Sequence, residues 1–230
     1  MTVTIFGDSI LKGILLEDGR YTVNHEWEER FSDKYGIEIR NQSHMGLTVE
    51  KGLSRMENDI RRGHMPGDYA VIGFGGNDCD YQWEEVAEDP EGEHACHVPA
   101  ERFCELYRKA IRLVRQAGAK PVCVVPPPID SEKYLNHICS GGLNRERILQ
   151  WLGDANAIYR WEERYARLGE WTAEQEGTML VDLREPFLAK RRLDCLLCDD
   201  GIHPSQEGQA LIYESFCSFT DELLRKNAVS

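Results

Sequence analysis

The sequence predicts an α/β fold built on a parallel sheet with helices on both faces. Two observations carry this. Short apolar segments (Val3–Phe6, Ile37–Arg40, Tyr69–Gly73, Pro121–Val125 and Thr178–Asp182) alternate with longer stretches of helical periodicity. The first three segments each run into a loop of unusual composition: Gly7-Asp8-Ser9, Asn41 to Gly46, and Gly73-Phe74-Gly75-Gly76-Asn77-Asp78. In open α/β sheets the working site lies beyond the carboxyl ends of the strands, where such loops gather.

Along the chain, Val3–Phe6 is the first strand and the residues around Glu26–Lys34 suit a helix before the second strand. Thr48 can cap the next helix, which runs to about Arg61. After the third strand a loop extends to about Val98. Ala100–Gln116 is helical, with Gly118 as its stop. The strand at Pro121–Val125 is halted by Pro126-Pro127-Pro128. From Ile129 to Gly177 there are no strand signals; Asn144–Trp151 and Asn156–Glu174 read as helices, and Ser205 to about Arg225 is the last helix. Without a repeat, a low-complexity tract or a linker, we expect one domain over 1–230 with a helical insertion at about 129–177.

Composition bounds the function. With 41% apolar residues, 230 residues can build a full core, and a formal charge of −13 lacks the basic footprint that nucleic acid or an anionic membrane demands. The opening apolar run is only Val3–Phe6, too short for a signal peptide, and nothing approaches a membrane span. The eight cysteines (79, 96, 104, 123, 139, 195, 198 and 217) are scattered and read as reduced thiols of the cytoplasm. Cys195 and Cys198 have metal-ligand spacing but are half a zinc site, which His94, Cys96 and His97 or Cys79 could complete; buried or incidental thiols are the preferred reading.

Near the end stands Asp199-Asp200-Gly201-Ile202-His203-Pro204-Ser205. A carboxylate three residues before a histidine, across a glycine, can accept the imidazole Nδ1–H and leave Nε2 free as a base. Ser9 supplies the matching nucleophile. It lies just past a strand and opens a short helical stretch, whose free N–H groups suit a developing oxyanion.

With these blocks in place the sequence resembles the SGNH (GDSL-like) hydrolases. Gly7-Asp8-Ser9, Gly46, Gly75-Gly76-Asn77-Asp78 and Asp200-Gly201-Ile202-His203 match that family's four blocks in order, with Ile10 where Leu is common. The resemblance implies a three-layer sandwich: a five-stranded parallel, flavodoxin-like sheet between helices. It also implies a serine esterase with catalytic Ser9, Asp200 and His203. Its oxyanion hole would be made by the Ser9 and Gly46 N–H groups and the Asn77 side chain, with no metal or other cofactor. The expected partner is a small ester, and the oligomeric state is left open.

Further candidates for substrate contact are Asp8, His44, Tyr81 and Trp83. His44 adjoins the Gly46 loop, where hydrogen bonding within the loop would explain it equally well. Tyr81 and Trp83 follow Asn77 in a polar loop; they could form a platform for acyl or sugar groups, or fold the loop back on the domain. Trp151, Trp161 and Trp171 read mainly as packing. The expected substrate is a short acyl ester, acetyl to butyryl, of a polar alcohol such as a sugar. Competing readings are a lysophospholipase or thioesterase, a metal-dependent phosphoesterase and a non-catalytic binding module. The phosphoesterase suffers because Ile10 stands where a second ligand would be needed.

Overall fold

The computed structural model describes residues 1–229. Its strands are β1 (Thr2–Gly7), β2 (Ile14–Glu17), β3 (Arg20–Val23), β4 (Glu38–Asn41), β5 (Tyr69–Gly73), β6 (Lys120–Val125) and β7 (Met179–Asp182). Its helices are α1 (Ser9–Lys12), α2 (Glu26–Tyr35), α3 (Val49–Arg61), α4 (Trp83–Glu88), α5 (Ala100–Gln116), α6 (Ser131–Cys139), α7 (Arg145–Leu152), α8 (Asn156–Gln175), α9 (Arg184–Leu188) and α10 (Gln206–Val229). Five strands form one parallel sheet in the order β4-β1-β5-β6-β7, and β2 and β3 form a separate antiparallel hairpin. That order is flavodoxin-like, with its switch point between β1 and β5.

Alternation along the strands divides the core. Phe6, Ala70, Ile72 and Cys123 face α3, α5 and the end of α8, where Met56, Phe103, Ile111 and Ala173 are buried. Ile5, Val71, Val122 and Val124 face α2, α9 and α10, meeting Trp27, Phe31, Phe187 and Phe216. A third apolar cluster lies off the sheet. It joins Trp83 and Val86 of α4 to Leu135 of α6, Ile148 of α7 and Ile158 of α8. Its Trp83, Tyr134 and Ile158 line a cavity together with Ser9 and Pro126, just past the carboxyl ends of β1 and β6.

Five elements depart from the expectations. The β2–β3 hairpin was not foreseen, nor were α6 and α9. The stretch from 74 to 98, read as one loop, contains α4, and Trp83 at its start is 5% exposed. The polar residues around Trp83 concealed this, because only one face of so short a helix needs to be apolar. No helix among the described residues is long and apolar enough to cross a membrane.

Candidate active site

Ser9 is placed by its neighbours. Asp8 caps α1, its Oδ1 accepting the Ile10 N–H at 3.0 Å. The Ser9 N–H lies in the first turn, where no helical carbonyl can reach it. Leu11 wedges against the ends of β1 and β5: a Cβ on Gly7 or Gly73 would fall 2.8 or 2.7 Å from its Cδ1. Glycine at both positions therefore lets α1 close onto the switch point.

The other two loops are tied to the same place. His44 N–H donates to the Gly7 carbonyl at 3.1 Å, and Asn41 Nδ2 donates to the Leu11 carbonyl at 2.7 Å. Gly46 has φ of +75° with nothing where a side chain would project, so its backbone stands open. Asp78 is wholly buried, and its Oδ1 accepts the Val49 N–H at 2.9 Å, binding the loop behind Gly46 to the turn that carries Asn77. The Asn77 amide donates one N–H to Asp8 Oδ2 across a long 3.4 Å contact, leaving its second N–H free.

Burial pushes the Asp8 carboxyl up to about 6, against the Ile10 N–H, the charge on His203 and the Asn77 amide. Burial likewise pushes Asp78 up to about 7, with Val49 opposing it and Asp8 adding to it.

Asp200 and His203 are both buried and joined by a 2.6 Å contact from His203 Nδ1 to Asp200 Oδ2. Asp200 Oδ1 accepts the N–H groups of Ile202 at 3.1 Å and His203 at 3.0 Å. Burial works to raise this carboxyl; the His203 hydrogen bond and charge, with those two N–H groups, outweigh it and hold it below the usual carboxylate range. His203 Nε2 is buried and has no hydrogen-bond partner. The turn needs Gly201, whose φ is +74° and whose Cβ would fall 2.5 Å from the Asp130 carbonyl oxygen. Asp199 is exposed and makes no comparable contact with the imidazole.

Tyr21 of the β2–β3 hairpin sets its ring against His203, centroids 5.3 Å apart, and its hydroxyl meets His137 Nε2 at 3.2 Å. Tyr21 escaped the sequence reading, although Asp18-Gly19 is a strong hairpin-turn signal, and both residues do have positive φ.

Two cavities meet at Ser9. An outer, open one of about 430 Å³ is lined by Ser9, Gly46, Asn77 and His203 with Tyr21 and Met45. An inner one of about 90 Å³ is lined by Asp8, Ser9, Ile10, Asn77, Pro127, Trp161 and Glu162 among others. Thus the structure brings together Ser9, Gly46, Asn77, His203 and, through His203, Asp200. Asp8 lines the inner cavity, but its carboxylate is engaged in holding Ile10 and Asn77.

Tyr81 and Trp83 fold the segment back on the domain, and both also stand in the wall of the inner cavity. Tyr81 packs on Trp161 at 4.8 Å and Trp83 on Tyr134 at 6.4 Å. Trp151 joins this cluster at 5.3 Å from Trp161, whereas Trp171 is exposed. His44 lies elsewhere, in a polar groove with Arg55 and Arg62 outside both Ser9 cavities. All eight cysteines are free thiols, and the described residues contain no group of three or more His, Cys, Asp or Glu set to hold a metal.

Known proteins agree with this architecture. The chain superposes on a lipase/acylhydrolase from Enterococcus faecalis (TM-score 0.64, 20% identity, 94% of this chain and 92% of that one). It also superposes on an acetylxylan esterase from Geobacillus stearothermophilus (TM-score 0.67, 19% identity, 95% and 93%). A third is LAE5, an alpha/beta hydrolase enzyme from the metagenome of Lake Arreo, Spain (TM-score 0.67, 21% identity, 96% and 94%). At these identities the likeness is one of fold. A comparison with curated proteins finds no match. The model of the GDSL-like lipase/acylhydrolase family, however, matches residues 5–211, spanning all the loops described above. The chain belongs to the GDSL-like lipase/acylhydrolase family and is a hydrolase of ester bonds.

Proposed function

We propose that this enzyme is a serine esterase that cleaves short acyl esters of polar alcohols through an acyl-enzyme on Ser9. The observation that carries the reading is His203 Nε2: a buried nitrogen without a partner, on a ring whose Nδ1 is held by Asp200, at a cavity shared with Ser9. A neutral imidazole so held keeps its proton on Nδ1 and its lone pair on Nε2.

Ser9 Oγ attacks the ester carbonyl as His203 Nε2 takes its proton. The carbonyl oxygen becomes an oxyanion received by the Ser9 and Gly46 N–H groups and the free N–H of Asn77. Asp200 stabilises the imidazolium, which returns the proton to the departing alcohol. Water then attacks the acyl-enzyme, gives its proton to His203, and Ser9 regains it as the acid leaves. No step calls for a metal.

Cavity shape supports the substrate class. The alcohol must depart and water must arrive, which suits the open outer cavity. The acyl group stays on Ser9 through both steps, which suits the small inner one. On this reading residues 1–230 act as one catalytic domain, and the insertion at 129–177 contributes the inner cavity wall through Trp161 of α8. The free thiols favour a reducing, cytoplasmic setting. A series of p-nitrophenyl esters from acetate to decanoate tests the acyl length. Each methylene accepted by an apolar pocket contributes ~0.8 kcal/mol, about fourfold in kcat/KM. We expect a peak at or below butyrate; a steady rise to octanoate would refute the short-acyl assignment.

A further inference from the structure

The inner cavity is lined by a charged residue that ester hydrolysis does not require. Glu162 of α8 is 4% exposed and lines this cavity together with Trp161. Its Oε1 receives Arg184 Nη2, and Arg184, 1% exposed, also donates Nη1 to Glu163 at 2.8 Å and Nη2 to the Pro127 carbonyl at 3.4 Å. The second oxygen, Oε2, is buried with no hydrogen-bond partner. The other carboxylates on this wall are engaged. Asp80 accepts Trp83 Nε1 at 2.9 Å and Tyr134 Oη at 2.7 Å, and Asp8 accepts Ile10 and Asn77. An apolar chamber for a plain acyl chain would gain nothing from such an acceptor, because an unpaired buried oxygen costs about 1–3 kcal/mol.

We propose that Glu162 Oε2 is a specificity contact and that the inner cavity takes a short acyl group bearing a hydroxyl. This rests on the reading of Ser9 as nucleophile and names the acyl class it serves. A hydroxyl fits better than an ammonium, since Arg184 already supplies the counter-charge and would repel a second cation. It also fits either protonation state. Burial pushes Glu162 up to about 7 against the pull of Arg184; a hydroxyl can donate to the carboxylate or accept from the acid.

The test compares kcat/KM for the phenyl esters of butyrate and of each enantiomer of 2- and 3-hydroxybutyrate, every rate divided by that ester's rate with hydroxide. The inference predicts that one hydroxylated ester exceeds butyrate by about fivefold or more. In Glu162→Leu combined with Arg184→Met, which replaces the ion pair by apolar volume, that ratio falls to about one. In Glu162→Gln, whose amide N–H can still meet a hydroxyl while its oxygen keeps Arg184, the preference is retained. Butyrate turnover with no hydroxylated ester preferred overturns this inference alone, and so does a preference unchanged in the double variant. Failure of wild-type protein to hydrolyse any of the esters would instead overturn the assignment of Ser9, and this inference with it.

Discussion

Replacing Asp200 by asparagine exchanges one carboxylate oxygen for an NH2 group and should nearly stop the enzyme. Asp200 Oδ1 accepts the backbone N–H groups of Ile202 and His203. An asparagine must keep its oxygen there, or leave two backbone donors, that of His203 buried, facing an NH2 group. Its amide nitrogen is then forced into the position of Oδ2, 2.6 Å from His203 Nδ1 in the wild type. A donor facing Nδ1 requires Nδ1 to be the acceptor, which moves the imidazole proton to Nε2. That is the atom that must accept the Ser9 proton. The wrong tautomer and the lost carboxylate charge together cost a Ser-His-Asp enzyme ~10⁴ in kcat, and four powers of ten is about 5.5 kcal/mol of barrier. Steady-state kinetics on a good ester should therefore show kcat down ~10⁴-fold with KM little changed. Exposed Asp199 is the internal control, and Asp199→Asn should stay within about twofold of wild type. Asp200→Asn retaining a tenth of wild-type kcat, or a larger loss in Asp199→Asn, would refute the assignment of the orienting acid.

Asn77→Ala removes one of three oxyanion donors and should lower kcat by ~10²–10³ with a smaller change in KM; an effect on KM alone would make Asn77 a binding residue. Asp78 gives a pH prediction. Folded Asp78 keeps its proton up to about 7, while an unfolded aspartate loses it near 4. Between those values the folded state binds more protons, so this group lowers stability as pH rises. Asp78→Asn mimics the protonated acid and should remove that loss. The shift sets a ceiling of about 4 kcal/mol, and relaxation of the site should leave ~1–3 kcal/mol. Urea unfolding should show the variant gaining that much on wild type at pH 8 relative to pH 5; an equal difference at both pH values would contradict the origin of the shift.

The parallel strands were legible because strands buried on both faces read as apolar runs, as in Tyr69–Gly73, and the catalytic loops because they begin where those runs stop. What escaped notice was held by partners distant in sequence. Tyr21 meets His203 across most of the chain; Asp18-Gly19 signals its hairpin but not what the hairpin touches. Asp78 looks like the tail of a turn motif until Val49 supplies its hydrogen bond. Glu162, in a helix with many charges, passes for a surface residue; only Arg184, on another helix, explains how it can be buried. Trp83 was misplaced for a related reason, since its neighbours Glu84 and Glu85 face solvent while the indole faces Asp80 and Tyr134. Periodicity within one segment cannot reveal such pairings.

The central claim is that Ser9 is the activated nucleophile, and covalent labelling tests it most directly. Wild-type protein treated with a fluorophosphonate, then measured by intact mass and peptide mapping, should carry one adduct, on Ser9, as ester hydrolysis is lost in step. Ser9→Ala should keep its fold by circular dichroism, take no label and show no hydrolysis above the buffer rate. An adduct on another residue, or a folded Ser9→Ala protein that still cleaves esters, would contradict the account.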